Sequence, residues 1–430
     1  MTGGTMTQSE SNALVPKRRF PEFRNNSGWR TKFGCELFDQ ANNRTASAGL
    51  PLLAITQEHG AIPRDMIDYQ VSVTAESIQT YKEVLPGDFI ISLRSFQGGI
   101  EYSQYHGICS PAYVVLRKRT KLCDSFYKHL FKSNGFIQQL TRNLEGIRDG
   151  KMISYKQFSE LRIPYPSLAE QQKIAECLST LDELIQAESR KLDALKAHKK
   201  GLMQRLFPRE GETVPQLRFP EFRKAPGWNV CALSTLISSL DAGVSVNGGD
   251  RPASKSELGV LKTSAVTNGF FEPNENKVVL EATEQARLAE PVQADTIIIS
   301  RMNTPALVGA SAYVHKSIPN LFLPDRLWAA KPRENVSMRF LSFVLGSDWG
   351  RTALAALATG TSGSMKNISK QDVLNLPVKV PTFHEQVRIA ACLSSLDDLI
   401  TEQIDKLAAL RAHKRGLLQQ LFPSRSEIEP

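Results

Sequence analysis

The residues of this sequence that could do chemistry do not form a catalytic pattern. The stretch GTSGSMK at 360–366 has the composition of a phosphate-binding loop but not the GxxxxGK[ST] spacing. Glu275-x-Lys277 stands without the other members of a nuclease site, and no HExxH, GxSxG or Asn-Pro-Pro-aromatic motif occurs. Four isolated histidines, at 59, 106, 129 and 315, are expected to be hydrogen-bonded or solvent-exposed rather than ligands. We therefore predict no catalytic residue, no cofactor-binding residue and no metal ligand.

The composition indicates a globular chain with a polyanionic partner. The 430 residues suffice for two to four domains, and the 41% of hydrophobic residues can build their cores. Lys and Arg exceed Asp and Glu by 53 − 44 = 9, which favours nucleic acid or an anionic surface as the partner. No apolar run could span a membrane, and the start lacks the apolar segment of a signal peptide. Six cysteines without a CxxC pair fit a reducing cytoplasm, which is the predicted location.

The elements that position the rest of the chain are visible as an internal repeat. Residues 166–208 and 381–423 align at an offset of 215 without a gap, and 25 of the 43 positions are identical. A shorter repeat precedes each half, RFPEFRNNSGW at 19–29 and RFPEFRKAPGW at 218–228. The chain is therefore a tandem duplication, in which a domain and a repeated segment alternate twice.

The long repeat predicts a helix that pairs as a coiled coil. Apolar residues follow alternating four- and three-residue steps, which is a 3.5-residue period. Two polar residues interrupt the period in each copy. They are Glu188 and Lys199 in the first copy, and Gln403 and Lys414 at the matching positions of the second. Polar residues at such positions set the register of a coiled coil. About 38 residues make a rod of roughly 57 Å. The apolar seam contains Leu178, Leu181, Ile185, Leu192 and Leu195 in the first copy, and Leu393, Leu396, Ile400, Leu407 and Leu410 in the second. Two amphipathic helices on separate cores are the alternative.

The predicted fold class is α/β (α+β) for the two globular domains, which alternate with the two long helices. We expect the helices to pair antiparallel, which relates the halves by a pseudo-two-fold axis and brings the C-terminus beside the first domain. The predicted divisions are a flexible tail at 1–16, a domain at 17–165, a helix at 166–208, a linker at 209–217, a domain at 218–380, a helix at 381–423 and a tail at 424–430. Within the domains, Asp88 to Arg94 and Asp295 to Arg301 match as an acid, an apolar strand and an arginine.

This arrangement resembles the specificity subunit of type I restriction-modification systems. The resemblance rests on the duplicated helix, which begins with Pro and Glu-Gln (170–171 and 385–386) and is followed by Leu-Phe-Pro, and on the RFPEF…GW segment before each domain. It covers residues from about 17 to 423.

The resemblance implies a function in phage defence. Each variable domain would be a target-recognition domain that reads one half of a bipartite sequence in double-stranded DNA. The helices would set the spacer and dock two methyltransferase subunits, which motor-nuclease (restriction) subunits would join. S-adenosylmethionine, ATP and Mg²⁺ would bind those partners and not this chain. The chain would be non-catalytic by itself, a subunit of a restriction endonuclease and adenine-specific methyltransferase.

Side chains that could contact DNA lie in the matched turns of the two domains. Base reading in the major groove needs Arg, Asn, Gln or Ser side chains on loops. Arg94 and Arg301 are the best candidates, whereas Asp88 and Asp295 are expected to cap turns. The other candidates are Ser95, Gln97, Tyr102, Tyr105, Arg148 and Lys151 in the first domain, and Asn303, Thr304, Ser364, Lys366 and Asn367 in the second.

Two other functions remain open at this point. A coiled-coil structural adaptor would use the same helices but would lack sequence-specific DNA binding. An autonomous enzyme would need a motif that the sequence does not display, and it would transfer methyl groups without a partner. Salt-dependent binding to duplex DNA separates the adaptor from the DNA reader.

Overall fold

The computed structural model describes residues 14–44, 49–67, 78–142, 153–360 and 365–424. The chain forms two compact units. The first comprises Met1–Arg190 with Ile404–Pro430, and the second comprises Lys191–Gln403. Each unit thus contains one globular domain, part of the first long helix and part of the second. All six cysteines are free.

The first unit consists of short strands and helices that precede the first long helix. Its strands are β1 (Arg30–Phe33), β2 (Phe38–Ala41), β3 (Leu53–Thr56), β4 (Gly60–Pro63), β5 (Lys82–Val84), β6 (Phe89–Ile91), β7 (Glu101–Tyr102), β8 (Gly107–Cys109), β9 (Val114–Lys118) and β10 (Arg162–Tyr165). Its helices are α1 (Gly34–Leu37), α2 (Ser95–Gly98), α3 (Asp124–Leu130), α4 (Asn134–Arg142), α5 (Tyr155–Ser159) and the long α6 (Leu168–Leu206), which continues into the second unit. Two 3₁₀ turns, Pro21–Phe23 and Arg64–Met66, complete the described elements.

The second unit repeats this plan with different strands. They are β11 (Asn229–Ala232), β12 (Leu240–Ala242), β13 (Gly259–Leu261), β14 (Asn276–Val278), β15 (Pro291–Val292), β16 (Thr296–Ser300), β17 (Met302–Asn303), β18 (Ser311–Val314), β19 (Ile318–Phe322), β20 (Leu327–Ala330), β21 (Lys366–Asn367) and β22 (Pro377–Val380). The helices are α7 (Ala282–Gln285), α8 (Met338–Gly346), α9 (Asp348–Ala356), α10 (Lys370–Leu374) and the long α11 (Phe383–Leu421), which ends in the first unit. The 3₁₀ turns are Pro220–Phe222, Leu233–Thr235 and Thr263–Val266.

The central sheets of the two domains have the same topology. The strand order is β2-β9-β6-β7 in the first domain and β12-β20-β16-β18 in the second. The strands that follow Asp88 and Asp295, β6 and β16, therefore occupy the same place in the strand order, and so do β9 and β20. The predicted correspondence between the two halves is confirmed.

Both long helices pack the first residues of their apolar seam into the domain cores. Ile174 and Leu178 are buried with the aromatic core of the first domain, in which Phe38 meets Phe89 and Tyr127 edge to face at 5.5 and 5.6 Å. In the second unit, the seam residues Ile389 and Leu393 join the core that contains Trp228 and Phe340. Domain and helix thus share one core in each unit.

The long helices pair antiparallel, as predicted. Every seam position from 174 to 206 and from 389 to 421 is buried or half-buried, whereas most of their neighbours are exposed. In the first unit Lys414 bonds Asp182, and Lys406 bonds Glu188 at 2.6 Å. In the second unit Lys199 bonds Asp397. The residue numbers rise on one helix as they fall on the other, so the helices are antiparallel. Each seam lysine has a carboxylate on the opposite helix, which explains the polar interruptions at Lys199 and Lys414.

The two sequence repeats bind each other in both units. Arg19 Nε and Nη2 donate to the two carboxylate oxygens of Glu170 at 2.7 and 2.8 Å. Arg218 makes the same paired contact with Glu385 at 2.8 and 2.6 Å. All four side chains are at least nine-tenths buried. A bidentate ion pair of this kind has a specific geometry. It therefore fixes the RFPEF segment against the start of each long helix.

The glutamine next to each of these glutamates ties the globular domain to the same turn. Gln171 Oε1 accepts a hydrogen bond from Cys123 N at 3.0 Å, just before α3. Gln386 Oε1 accepts from Ser337 N at 3.0 Å, just before α8. Each amide nitrogen donates to the carbonyl of the proline that precedes its helix. The Glu-Gln pair therefore joins the RFPEF segment, the long helix and the domain at one point.

The isolated histidines are satisfied or exposed, as expected. His129 is buried beside Asp182 and Ser179, and burial lowers its pKa to about 4, so it is neutral near pH 7. His106 contacts Glu83 at 3.0 Å, whereas His59 and His315 are exposed. Among the described residues, no group of three or more His, Cys, Asp or Glu side chains is arranged to hold a metal ion. None of the described helices is long and apolar enough to cross a membrane.

Candidate nucleic-acid interface

The first candidate turn follows β6 and presents two of its predicted side chains to solvent. Arg94 directly precedes α2 and Gln97 lies within it, and both side chains are exposed. Ser95 lies inside the turn, where it is 1% exposed and its Oγ accepts a hydrogen bond from Ser92 N at 2.8 Å. The Ser95 hydroxyl therefore closes the turn, and the contact of Ser95 with DNA stays a prediction.

Two glycines let this turn approach the rest of the domain. A Cβ on Gly98 would lie 2.5 Å from the Gln57 side chain, and one on Gly99 would lie 2.0 Å from the carbonyl oxygen of Phe131. Gly99 also has a φ of 81°, which is costly for other residues. Gln57 Nε2 donates to the carbonyl of Arg94 at 3.4 Å. The turn is thus held from both sides, and Arg94 has a fixed backbone.

The two candidate tyrosines of the first domain pack mainly against other residues of that domain. Tyr102 packs against Phe89 with the ring centroids 5.2 Å apart and the rings tilted, and burial raises the pKa of its hydroxyl. Tyr105 is half-buried against a small second core that contains Leu53 and Ile90. These rings support the sheet, and only part of each reaches the surface. Arg148 and Lys151 lie outside the described residues.

In the second domain, the structure brings together two candidate segments that are far apart in sequence. Strands β17 and β21 pair antiparallel, with Asn303 opposite Lys366 and Met302 opposite Asn367. Asn303 Oδ1 accepts from Thr304 N at 2.9 Å, and Lys366 Nζ donates to the carbonyl of Gly360 at 2.6 Å. The Thr304 side chain is exposed. Ser364 lies outside the described residues.

Arg301 is held against an aromatic ring beside this strand pair. Its guanidinium carbon lies 5.6 Å from the centre of the buried Trp328 ring, a cation–π contact. Its Nε is buried without a hydrogen-bond partner. Its backbone joins two other segments, because its N–H donates to Arg326 O and its carbonyl accepts from Ile368 N. The side chain is therefore partly preorganised, which reduces the entropy cost of a contact.

The two aspartates expected to cap turns differ from each other. Asp88 accepts a hydrogen bond from Leu85 N at 2.8 Å and a two-fold contact from Arg117 at 2.9 and 2.7 Å. The prediction for Asp88 is confirmed. Asp295 has a left-handed φ of 57° and accepts from the Tyr313 hydroxyl at 2.9 Å. Burial, and then this bond, raise the pKa of Tyr313 to about 12. Asp295 thus orients a tyrosine and does not cap the turn.

Sequence reasoning missed an arginine that supports the second-domain loop. Arg351, on α9, donates from Nη2 to the carbonyl of Ala306 at 3.2 Å, and its Nη1 is buried without a partner. Burial lowers the pKa of this guanidinium. An arginine within a helix carries no sequence signal for such a role, because its partner lies 45 residues away.

Comparison with known proteins places these domains in a family. The model of the type I restriction modification DNA specificity domain matches residues 32–197 and 243–409. The type I restriction enzyme MjaVIII specificity subunit of Methanocaldococcus jannaschii is 26% identical over 373 residues, which cover 81% of this chain and 82% of that one. The EcoKI specificity subunit of Escherichia coli is 24% identical over 371 residues, with 82% and 77% covered. The crystal structure of the type I restriction-modification system S subunit from M. genitalium has a TM-score of 0.59, with 15% identity over 96% of this chain and all of that one.

Proposed function

The chain belongs to the type I restriction modification DNA specificity domain family, and from this premise we propose how its two halves divide the work. It is a DNA specificity subunit and is non-catalytic by itself. Each domain reads one half of a bipartite target, and the paired helices set the number of base pairs between the halves. The observation that carries this proposal is the Arg–Glu ion pair that recurs in both units. It fixes the RFPEF segment against the same repeated helix in each unit, although the two domains differ in sequence.

The partners and cofactors follow from this assignment. We propose that the helices dock two methyltransferase subunits, and that motor-nuclease subunits complete the restriction complex. In this proposal S-adenosylmethionine, ATP and Mg²⁺ bind to those subunits and not to this chain. The complex is located in the cytoplasm. The adaptor alternative is not favoured, because the family match covers most of both domains and not the helices alone.

Methylation mapping tests the function directly. Genomic DNA from cells that carry this chain with its methyltransferase should show a split adenine motif of two short sequences at a fixed separation. Cells in which this chain is deleted, with the methyltransferase retained, should lose the motif. Methylation that persists in the deletion, or a continuous motif, would contradict the proposal.

Arg301 is the side chain that we propose to read a base in the second half-site. Two N–H groups of a guanidinium match the O6 and N7 acceptors of guanine. Arg301→Ala should weaken binding to the cognate duplex by about 1–3 kcal/mol and relax the preference in the second half-site alone. Competition binding against duplexes altered in one half-site measures both effects.

Arg301→Lys is the matched variant for this prediction. It keeps the charge but lacks the planar fork, so it should retain nonspecific binding and lose discrimination. A loss that is equal for all sequences would make Arg301 a phosphate contact instead. The thermal midpoint of each variant shows whether the loss of the Trp328 contact has destabilised the domain.

A further inference from the structure

Helix α3 of the first unit and helix α8 of the second unit begin at equivalent places. Phe340, on α8, packs edge to face against Trp228 with the ring centroids 5.6 Å apart. Phe126, on α3, packs in the same way against Trp29 at 5.9 Å. Each tryptophan ends a copy of the RFPEF…GW repeat, so the two phenylalanines correspond. The residues that directly precede the two phenylalanines therefore correspond as well.

In the second unit this preceding residue is Arg339, which joins α8 to the second long helix. Its Nε donates to Ser394 Oγ at 3.0 Å, and its Nη2 donates to Asp397 Oδ2 at 2.7 Å. The other oxygen of Asp397, Oδ1, accepts from Lys199 on the first long helix. This aspartate thus binds one cation on each oxygen. The serine and the aspartate together form a guanidinium site that the chain fills with its own arginine.

The first unit keeps the helical part of this site but not the arginine. Ser179 and Asp182 occupy, at an offset of 215, the positions of the serine and aspartate that bind it. Asp182 Oδ1 accepts from Lys414 on the opposite helix, whereas Oδ2 lies 3.9 Å from His129 Nδ1, beyond hydrogen-bond distance. Ser125 stands where the second unit has its arginine. Within the described residues, Oδ2 therefore lacks the hydrogen bond that the arginine donates in the second unit.

A cavity of about 970 Å³ lies at this point of the first unit, between the globular domain and the long helices. Its wall contains Ser125, Ser179 and Asp182. Glu101, on β7, belongs to the same wall and is only 1% exposed. Its Oε1 accepts from Lys132, and its Oε2 is buried without a hydrogen-bond partner. The cavity thus combines a serine hydroxyl with two carboxylates that each have an oxygen left for a further donor.

The basic groups in the wall do not meet this need. Lys132 and Lys414 each bind the other oxygen of one of these carboxylates, and Lys128 lies 6.0 Å from the centre of the Tyr102 ring. Burial lowers the pKa of His129 to about 4, so its ring is neutral near pH 7. The described wall contains four carboxylates, three lysines and no arginine, so its charge favours a cation.

We propose that this cavity binds a guanidinium group supplied from outside the chain, by an arginine side chain of a partner protein or by a small molecule. A guanidinium presents a planar fork of N–H donors that can reach a carboxylate and a hydroxyl together, as Arg339 does. An ammonium is a point charge without this geometry. The second unit thus carries its guanidinium within the chain, whereas the first unit receives one. The proposed site does not depend on which DNA sequence the chain reads.

Methionine-methyl NMR of the full chain with methylguanidine tests this site. Met66 lies in the cavity wall and is 61% exposed, so its methyl signal reports on the cavity. The signal should shift saturably with methylguanidine and not with methylammonium, which has the charge without the fork. Asp182→Asn should weaken the binding about tenfold or more, because it removes a charge-assisted hydrogen bond. Glu176→Gln removes an exposed carboxylate of the same helix that is not in the wall, and it should leave the binding unchanged.

Ser125→Arg places a guanidinium where the second unit has one. It should abolish the shift with methylguanidine and raise the thermal midpoint of the first unit by about 2–4 °C. The gain should disappear when Ser125→Arg is combined with Asp182→Asn. A folded wild-type chain whose Met66 signal does not shift saturably would overturn the site, and so would an equal shift in Asp182→Asn. These two measurements decide the matter even if Ser125→Arg does not fold.

Association with the methyltransferase subunit distinguishes the two sources of the guanidinium. If a partner's arginine enters the cavity, Ser125→Arg should weaken this association about tenfold, because the site is already filled. An unchanged association, together with the expected NMR shifts, would assign the site to a small molecule. If the methyltransferase subunit failed to bind even the unaltered chain, the docking proposed above would fall, and the NMR titration would still decide whether the site exists.

Discussion

Arg218→Met should lower the free energy of unfolding by about 3–5 kcal/mol, because it leaves a buried carboxylate without its counter-ion. Glu385 is fully buried, and Arg218 supplies two hydrogen bonds to its oxygens. The same arginine also donates to the carbonyls of Ala225 and Pro226, so its loss frees the segment that leads into the second domain. Urea unfolding followed by tryptophan fluorescence measures the change.

Two matched variants show whether the ion pair is the cause. Arg223→Met removes an exposed arginine from the same segment and should change stability by no more than about 0.5 kcal/mol. Combining Arg218→Met with Glu385→Leu removes both charges and should be less destabilising than Arg218→Met alone. If Arg218→Met were as mild as Arg223→Met, the link between the repeats would not stabilise the fold.

A heptad added to each long helix should lengthen the spacer of the DNA target by up to three base pairs. The insertion points would be 190/191 and 403/404, where the chain passes from one unit to the other. Every contact within a unit is then kept, including Lys414 with Asp182 and Lys199 with Asp397. Seven helical residues add about 10 Å, which matches roughly three base pairs at 3.4 Å each.

Methylation mapping in cells that express the lengthened chain measures the new spacer. Both half-site sequences should stay the same, because no reading loop has changed within its own domain. Added base pairs also rotate the second half-site by roughly 34° each, so an increase of two pairs would still support the idea. A control that replaces residues 191–197 by their repeat counterparts 406–412 keeps the length and should keep the spacer. An unchanged spacer in an active, lengthened chain would mean that the helices serve only as a platform for partners.

The two long helices could be predicted from the sequence, because their apolar period is a local pattern that occurs twice. The 3.5-residue period identifies the seam, and the polar interruptions identify register positions without revealing their partners. Asp182 and Asp397 lie beside the seam and carry no mark that sets them apart from other acids. The RFPEF repeat was equally visible, yet its contact with Glu170 joins residues 151 positions apart. Such a contact exists only once the domain has folded between them.

The candidate interface was less predictable because side-chain direction depends on tertiary packing. A serine in a turn can face outward or inward, and Ser95 faces inward because its hydroxyl binds the backbone of Ser92. Arg301 meets Trp328 only because β16 and β20 are neighbours in the sheet. The composition of the turns therefore indicates candidate loops, whereas the packing of the sheet decides which of their side chains are available.

The division of the chain into one continuous and one interrupted unit sets an order of completion during synthesis. The second unit, Lys191–Gln403, is a single stretch and can finish folding as soon as it has left the ribosome. The first domain is synthesised earlier, but its core is complete only when the end of the second long helix has been made. Phe422 packs against Phe126 with ring centroids 5.4 Å apart, and the Arg18 N–H donates to the carbonyl of Gln420. Contacts between such distant residues close slowly. A chain that stops at Gln403 would thus hold every residue of its second unit, while the aromatic core made first would stay open to chaperones and to aggregation.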